Sequence, residues 1–398
     1  MTPGDPRRQL LLTLLQAALA AVDGRACTRA ALSARREELR GAWLIAVGKA
    51  AASMTLGAHD ALDGLIARTL ILTKDGHALE AQALAGAEIH ESGHPVPDER
   101  SLRSGARLLE WVEAAPADTP LLFLISGGAS SLVEVLAPGV SLEDLRRLNE
   151  QAHAAGISIE ELNARRCEIS LVKGGRLTAR LRGRRALALF VSDVPGDDPA
   201  VIGSGLLGPD PRGCDAVERV LLASIGGAMH AVQTRAQGLT VELAAGRIAQ
   251  DAERLAVRLA HELHFSRVPL KVWGGESVVR LPPSPGRGGR NQHLALATAR
   301  LIAGDERLMM LAVGTDGTDG PTDDAGALVD GDTCARVMLA GLEVEDCLRR
   351  ADSATALAAA GDLVHTGPTG TNVGDLVIGL KLSEAEARSW LQTEGLAR

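Results

Sequence analysis

Leu121-Leu122-Phe123-Leu124-Ile125-Ser126-Gly127-Gly128-Ala129-Ser130-Ser131-Leu132-Val133-Glu134-Val135 decides how the rest of the chain is read. Five consecutive apolar residues predict a strand buried on both faces. Small residues follow, and an apolar run resumes at Leu132, which predicts strand, tight loop and helix start. Backbone N–H groups at a helix start lack intrahelical partners, and the helix dipole adds partial positive charge there. Glycine lets a ligand's oxygens come close to the backbone. The natural guest is a phosphate or carboxylate. An ordinary βα turn is also rich in Gly and Ser, so the neighbouring segments have to decide.

Upstream, 42–47 reads as a strand that turns into a helix through Gly48-Lys49-Ala50. This is no Walker A loop, because the upstream Gly is missing and Ala50 stands in place of Ser or Thr. Segments 69–73 and 88–90 read as further strands, the second running into Ser92-Gly93-His94-Pro95-Val96-Pro97-Asp98. Downstream, 141–153 and 158–163 read as helices capped by Ser141 and Ser158. Lys173-Gly174-Gly175-Arg176 interrupts that pattern. Segment 186–191 is another buried strand, ending in Ser192-Asp193-Val194-Pro195-Gly196-Asp197-Asp198. Strands alternating with helices predict a doubly wound, mostly parallel sheet. Ligands of such sheets lie beyond the carboxyl ends of the strands, where the loops at 48–50, 92–98, 126–131 and 192–198 all fall. An Ala/Arg-rich stretch at about 215–263 reads as helical. A second set of elements follows, with strands at 270–273, 277–281, 308–313 and 376–380 and a helix ending near 302.

The chain has 398 residues, enough for two domains. Aromatics make up 2% with no Tyr, so the cores must be packed from Leu, Val and Ala, and base-stacking platforms are scarce. A net charge of −8 excludes the basic footprint of a nucleic-acid binder. The five Cys are scattered and form neither a zinc pattern nor a disulfide framework, which fits a reducing cytoplasm. Arg7-Arg8 ahead of an apolar stretch to Val22 has the look of a signal peptide. Gln9, Thr13 and Gln16 nevertheless fall on one stripe, which predicts an ordinary amphipathic helix. No apolar run of about 18 residues predicts a membrane span.

Two kinds of side chain collect in the loops. Asp193, Asp197 and Asp198 follow one buried strand, and Asp316, Asp319, Asp323 and Asp324 follow another. Oxygen-only sets suit Mg2+ or Ca2+, although Asp is also a common turn residue. Lys49, Arg166, Lys173, Arg176, Arg287 and Arg290 lie in or beside Gly-rich segments. Phosphoryl transfer needs cations on the migrating group, a metal and a group that orients the attacking hydroxyl. A carboxylate substrate needs an Arg fork. H-E-x-x-H, G-x-S-x-G and a strand-following G-x-G-x-x-G are all absent. The residues alone indicate an α/β enzyme acting on an anion-rich, phosphate-handling substrate with Mg2+, in a site between two domains.

Eight motifs in order make the chain resemble the glycerate 2-kinase family, also called the MOFRL family, whose members are often labelled hydroxypyruvate reductase. They are Gly48-Lys49-Ala50, 93–98, 126–131, 173–176, 192–197, Gly289-Arg290-Asn291-Gln292, 314–323 and Thr366-Gly367-Pro368-Thr369-Gly370-Thr371-Asn372. The resemblance implies a Rossmann-like N-terminal domain at 1–240, a helical connection at 241–264 and a smaller α/β C-terminal domain at 265–398, with the active site in the cleft. It implies ATP-dependent phosphorylation of D-glycerate at the 2-hydroxyl, with Mg2+. Catalytic roles are expected for Lys49, Arg290 and Asp193. Nucleotide or phosphate binding is expected for Ser126, Gly127, Gly128, Ala129, Ser130, Ser131 and Lys173. Substrate binding is expected for His94, Arg166, Asn291, Thr371 and Asn372, and metal binding for Asp193 and Asp316. D-glycerate and ATP are the expected partners of a cytoplasmic monomer or homodimer, with no nucleic acid and no membrane. Cys167, Glu168, Leu206, Leu207, His293 and Gly374 depart from the family pattern. The alternatives are an NAD(P)-dependent hydroxypyruvate reductase and a silent family member that binds small anions.

Overall fold

The run Leu121–Ile125 is a strand with all five residues buried, and it stands next to the middle of a six-stranded parallel sheet. The computed structural model describes residues 4–155, 159–213, 215–246 and 248–396, and the expected cap at Ser158 lies outside them. Strands β1 (Ala42–Val47), β2 (Ile66–Lys74), β3 (Ala87–Ser92), β4 (Leu121–Ile125), β5 (Ala186–Val191) and β6 (Val217–Ala223) take the order β3-β2-β1-β4-β5-β6. This is the strand order of the dinucleotide-binding doubly wound fold, in which the winding reverses between β1 and β4. Helices cover both faces, so β4 and β5 are apolar throughout, and Ile45, Phe123, Ile125 and Phe190 form the core.

Two compact units emerge. The N-terminal unit holds 22–224 together with 370–373, and the C-terminal unit holds 1–21, 225–369 and 374–398. These limits differ from the expected division near 240. The helix Pro6–Ala21 buries Leu10, Leu11, Leu14 and Leu15 against the helices Ile225–Arg235 and Glu384–Thr393, so it belongs with the C-terminal unit. Gln9 and Gln16 face outward, as the polar stripe predicts. Arg7 is buried and gives Nη2 to Asp5 at 2.8 Å, which makes it a packing element here. By length and composition the span Pro6–Leu32 could cross a membrane. It consists of two helices, the second capped by Asp23, whose side chain accepts from Ala26 N–H at 2.7 Å.

The second sheet comprises β7 (Val241–Leu243), β8 (Leu270–Gly275), β9 (Leu308–Gly314), β10 (Gly326–Asp330), β11 (Leu363–Val364) and β12 (Asp375–Lys381). Its order is β11-β10-β9-β12-β8-β7. Only β7 and β8 pair in parallel; the other neighbours run antiparallel. The expected helix over 215–263 is instead strand, helix, strand, helix. β6 is an edge strand carrying Glu218 and Arg219, and that charge hides it in a propensity reading. The expected strand at 277–281 does not form. Gly275 has φ +147°, and a side chain there would overlap the Ile248 backbone; beyond it Val278 N–H bonds only to Gln250 O.

A buried polar network closes the far edge of this sheet. Arg336 Nη2 donates to Asp330 Oδ1 at 3.0 Å and to both Asp362 oxygens at 2.9 and 2.7 Å, and Thr333 Oγ1 donates to Asp362 Oδ2 at 2.7 Å. Removing one partner of a buried pair strands the other charge. Asp362→Ala is therefore expected to cost about 3 kcal/mol of stability, read as a lowered urea midpoint. A loss below about 1 kcal/mol would show that Asp330 alone satisfies Arg336.

Candidate functional site

The reversal point of the parallel sheet brings two loops together, one after β1 and one after β4. Ser126 N–H donates to Val47 O at 2.9 Å, Lys49 N–H to Gly127 O at 2.9 Å, and Ala50 N–H to Ser126 Oγ at 3.0 Å. Gly48 has φ +128°, and a side chain there would overlap Ser126. Ser126 is buried, with its N–H and hydroxyl both used in this clasp. Ser126, expected as a phosphate ligand, thus helps to join the two loops. Among the described residues, no backbone carbonyl receives the N–H of Gly127 or Gly128. The helix that follows, Ala129–Leu132, is a single turn, and Ser131 returns its N–H and its hydroxyl to Gly128 O, each at 3.1 Å.

Four expected side chains converge on these glycines. A side chain at Gly127 would overlap Asp193 Oδ2 and Asn372 Nδ2. Asn372 Nδ2 donates to Asp193 Oδ2 at 3.1 Å, which orients the carboxylate. A side chain at Gly128, φ +86°, would lie 3.2 Å from His94 Nε2 and 3.2 Å from Lys49 Cγ. Lys49, His94 and Asp193 are half-buried, and Thr371 and Asn372 are buried beside them in the returning segment 370–373. The result is a cation, an imidazole and an oriented carboxylate around two glycines whose N–H groups meet no backbone carbonyl among the described residues. Such a set suits an anion and a neighbouring hydroxyl.

Ser130 and Arg166 lie on a second branch. Ser130 Oγ is 2.7 Å from Ser204 Oγ, and Arg166 Nη1 donates to Asn163 Oδ1 at 3.4 Å. Burial lowers the pKa of Arg166. Lys173 is not an open phosphate ligand. It is 1% exposed and gives its Nζ to buried Glu134, which also accepts from Ser170 Oγ at 2.5 Å. Burial drives the Lys173 pKa down against the attraction of Glu134. Lys173-Gly174-Gly175-Arg176 read as a break between helices with an expected phosphate-binding Lys173; the signal for its pairing is Glu134, a lone acid inside an apolar run.

The C-terminal unit holds the other expected residues. Arg290 starts the helix Arg290–Ile302 and forks onto Asp375, with Nε to Oδ2 at 2.7 Å and Nη2 to Oδ1 at 2.9 Å. Its Nη1 meets Glu276 Oε1 at 2.6 Å. Burial opposes its charge, yet Asp375 and Glu276 hold its pKa well above the ordinary value. Asp375 and Glu276 were not foreseen, because each is a single acid at the end of an apolar segment. Asp319 caps the same helix, accepting from Asn291 N–H at 3.1 Å, Gln292 N–H at 2.8 Å and Asn291 Nδ2 at 3.3 Å. Among the described residues, no hydrogen-bond partner meets the buried Asn291 Oδ1 or Gln292 Oε1. Asp316 is buried and accepts from Thr318 N–H at 3.1 Å. Among the described residues, no three His, Cys, Asp or Glu side chains gather as a metal-binding group.

Burial raises the pKa of Asp319 to about 7 despite the amide donors, and Asp375 adds to the rise. An acid with a raised folded-state pKa holds its proton more tightly when folded. Its stabilising contribution is complete below the unfolded value near 4 and is lost as pH rises through about 7. Asp319→Asn is expected to be less stable overall but flatter between pH 4 and 7 in urea unfolding. An unchanged slope would assign the pH dependence to another group.

The family described as a domain of unknown function (DUF4147) matches residues 10–234, and the MOFRL family matches 270–375. A D-glycerate 2-kinase of Thermotoga maritima is 37% identical over 85% of this chain and 90% of its own length. A glycerate 2-kinase of Pyrococcus horikoshii is 32% identical, over 87% of this chain and 89% of its own. A protein of Agrobacterium vitis provisionally named as a hydroxypyruvate reductase is 32% identical over 93% of both. The crystal structure of a Thermotoga maritima glycerate kinase superposes with a TM-score of 0.82 at 34% identity, covering 95% of this chain and all of that one. The clasped loops after β1 and β4, the returning Thr371-Asn372 and the Arg290-Asn291-Gln292 helix start thus sit in a chain that belongs to the glycerate 2-kinase (MOFRL) family.

Proposed function

We propose that this chain transfers the γ-phosphoryl group of ATP to the 2-hydroxyl of D-glycerate. Three relatives at 37, 32 and 30% identity are named glycerate 2-kinases, and kinase activity implies ATP as co-substrate. The observation that carries the reading is the convergence of Lys49, His94, Asp193 and Asn372 on Gly127 and Gly128. Phosphoryl transfer asks the protein mainly for positioning and charge. The Gly127 and Gly128 amides receive phosphate oxygens, and Lys49 neutralises charge on the migrating group. Asp193, held by Asn372, accepts the hydroxyl proton. Arg290 has three of its five N–H groups on carboxylates, which leaves two for an anionic group of the substrates.

Mg2+ keeps most of its waters and binds through one or two carboxylates plus substrate phosphates. Among the described residues no three His, Cys, Asp or Glu side chains gather, so a metal that arrives with the nucleotide fits better than one resident in a protein cage. When bound, the metal would neutralise phosphate charge. We place the enzyme in the cytoplasm, acting on small molecules.

The test is ADP release with D-glycerate, run beside NADH oxidation with hydroxypyruvate. Hydroxypyruvate-dependent NADH oxidation without ADP release would establish the reductase instead. Lys49→Ala is expected to lower kcat at least about 100-fold in a folded protein. Gly127→Ala, which must push Asp193 away from Asn372, is expected to do as much; near-normal turnover in either removes that group from the mechanism.

A further inference from the structure

Ser204 is a non-glycine residue with φ +56°, flanked by Gly203 and Gly205, which share the left-handed conformation. A serine is strained there where glycine would not be. The surroundings over-determine it. Its N–H donates to Val201 O at 2.9 Å, its carbonyl accepts from Gly174 N–H at 2.9 Å and from Cys167 Sγ at 3.5 Å, and the residue is 3% exposed. Strain of this kind, retained where glycine would relieve it, asks what the side chain does.

Its hydroxyl lies 2.7 Å from Ser130 Oγ in the loop after β4 and donates to Asn163 Oδ1 at 3.0 Å, the same oxygen that Arg166 Nη1 reaches at 3.4 Å. The proton order follows from chemistry. A guanidinium only donates, so the Asn163 atom facing it is the amide oxygen, which only accepts. Ser204 has one proton and gives it to that oxygen, so Ser130 must donate to Ser204. The Ser130 proton is thereby turned inward. Ser130 cannot donate to a phosphate, which must be taken by backbone N–H groups, and its lone pairs are left for an O–H of what binds.

We propose that Ser204 is a positioning residue of the kinase site: it sets the direction of the Ser130 hydroxyl and ties it to Asn163 and Arg166, and its backbone strain is kept for that purpose. This rests on the kinase reading above. The wild-type chain, Ser204→Gly, Ser204→Ala, Ser130→Ala and the Ser204→Gly/Ser130→Ala double variant are compared by ATP- and D-glycerate-dependent ADP release and by thermal melting. Ser204→Gly is expected to melt at or above the wild type, since glycine is at ease at this φ. Its kcat/KM is expected to fall tenfold or more, and Ser204→Ala and Ser130→Ala to fall comparably. The double variant should be no more than threefold worse than either single one, because both act through one hydrogen bond. Losses that multiply in the double variant, a Ser204→Gly or Ser204→Ala kcat/KM within twofold of wild type, or a Ser204→Gly chain that melts well below it would each overturn the proposal. A wild-type chain with no turnover overturns the kinase reading and this inference together, whereas an active wild type with an unimpaired Ser204→Gly overturns only this one.

Discussion

The clasp between the loops after β1 and β4 is the constraint on which the N-terminal site depends. Three hydrogen bonds join them, and Gly48 brings the two backbones closer than any side chain would allow. The parallel sheet fixes where the strands end but says nothing about the direction its loops take. Ser126 supplies that direction by spending its N–H and its hydroxyl inside the clasp. Gly127 and Gly128 are thereby left facing Asp193, Asn372, His94 and Lys49. A loop that reads as uniformly anion-friendly is divided: its first residue joins the clasp, the N–H groups of Gly127 and Gly128 meet no backbone carbonyl among the described residues, and Ser131 is folded back on Gly128 O.

The C-terminal unit uses its charges differently. Arg290, Asp375, Glu276 and Asp319 form a network in which the cation is already matched by carboxylates, one of them fully buried. Any anion received by Arg290 competes with fixed negative charge nearby. That arrangement suits a ligand bringing a compensating cation better than a bare carboxylate, and it fixes the guanidinium plane in advance. Lys173 with Glu134 is the contrasting case, a pair sealed from water that serves the fold.

Much of the first sheet was legible because its strands are buried on both faces. The segments 42–47, 121–125 and 186–191 read as strands and are strands within those limits. The edge strand β3 was read at 88–90, but the edge strands β6 and β7 were not: β6 carries Glu218 and Arg219, and β7 has three residues. The mixed pairing of the second sheet was hidden because antiparallel partners such as β9 and β12 are as apolar as parallel ones. The motifs located Lys49, His94, Asp193 and Asn372 by type, and the fold brings these together. Which amides are open, and which cations are already paired, depends on residues far away in sequence, such as Glu134 with Lys173 and Asp375 with Arg290.

Residues 370–373 belong to the unit otherwise built from 22–224. During synthesis, the first sheet can be assembled long before those four residues exist. Until they arrive, Asp193 lacks the Asn372 amide, and Ser53 and Gly24 lack the backbone of Gly370 that packs against them. The helix 6–21 has the converse problem, since it is made first and must wait for 225–235 and 384–393. A nascent chain therefore carries an exposed leucine-rich helix and an unfinished site until residues 370–393 are translated. Cutting the gene at an obvious boundary would produce fragments that each lack a piece held by the other.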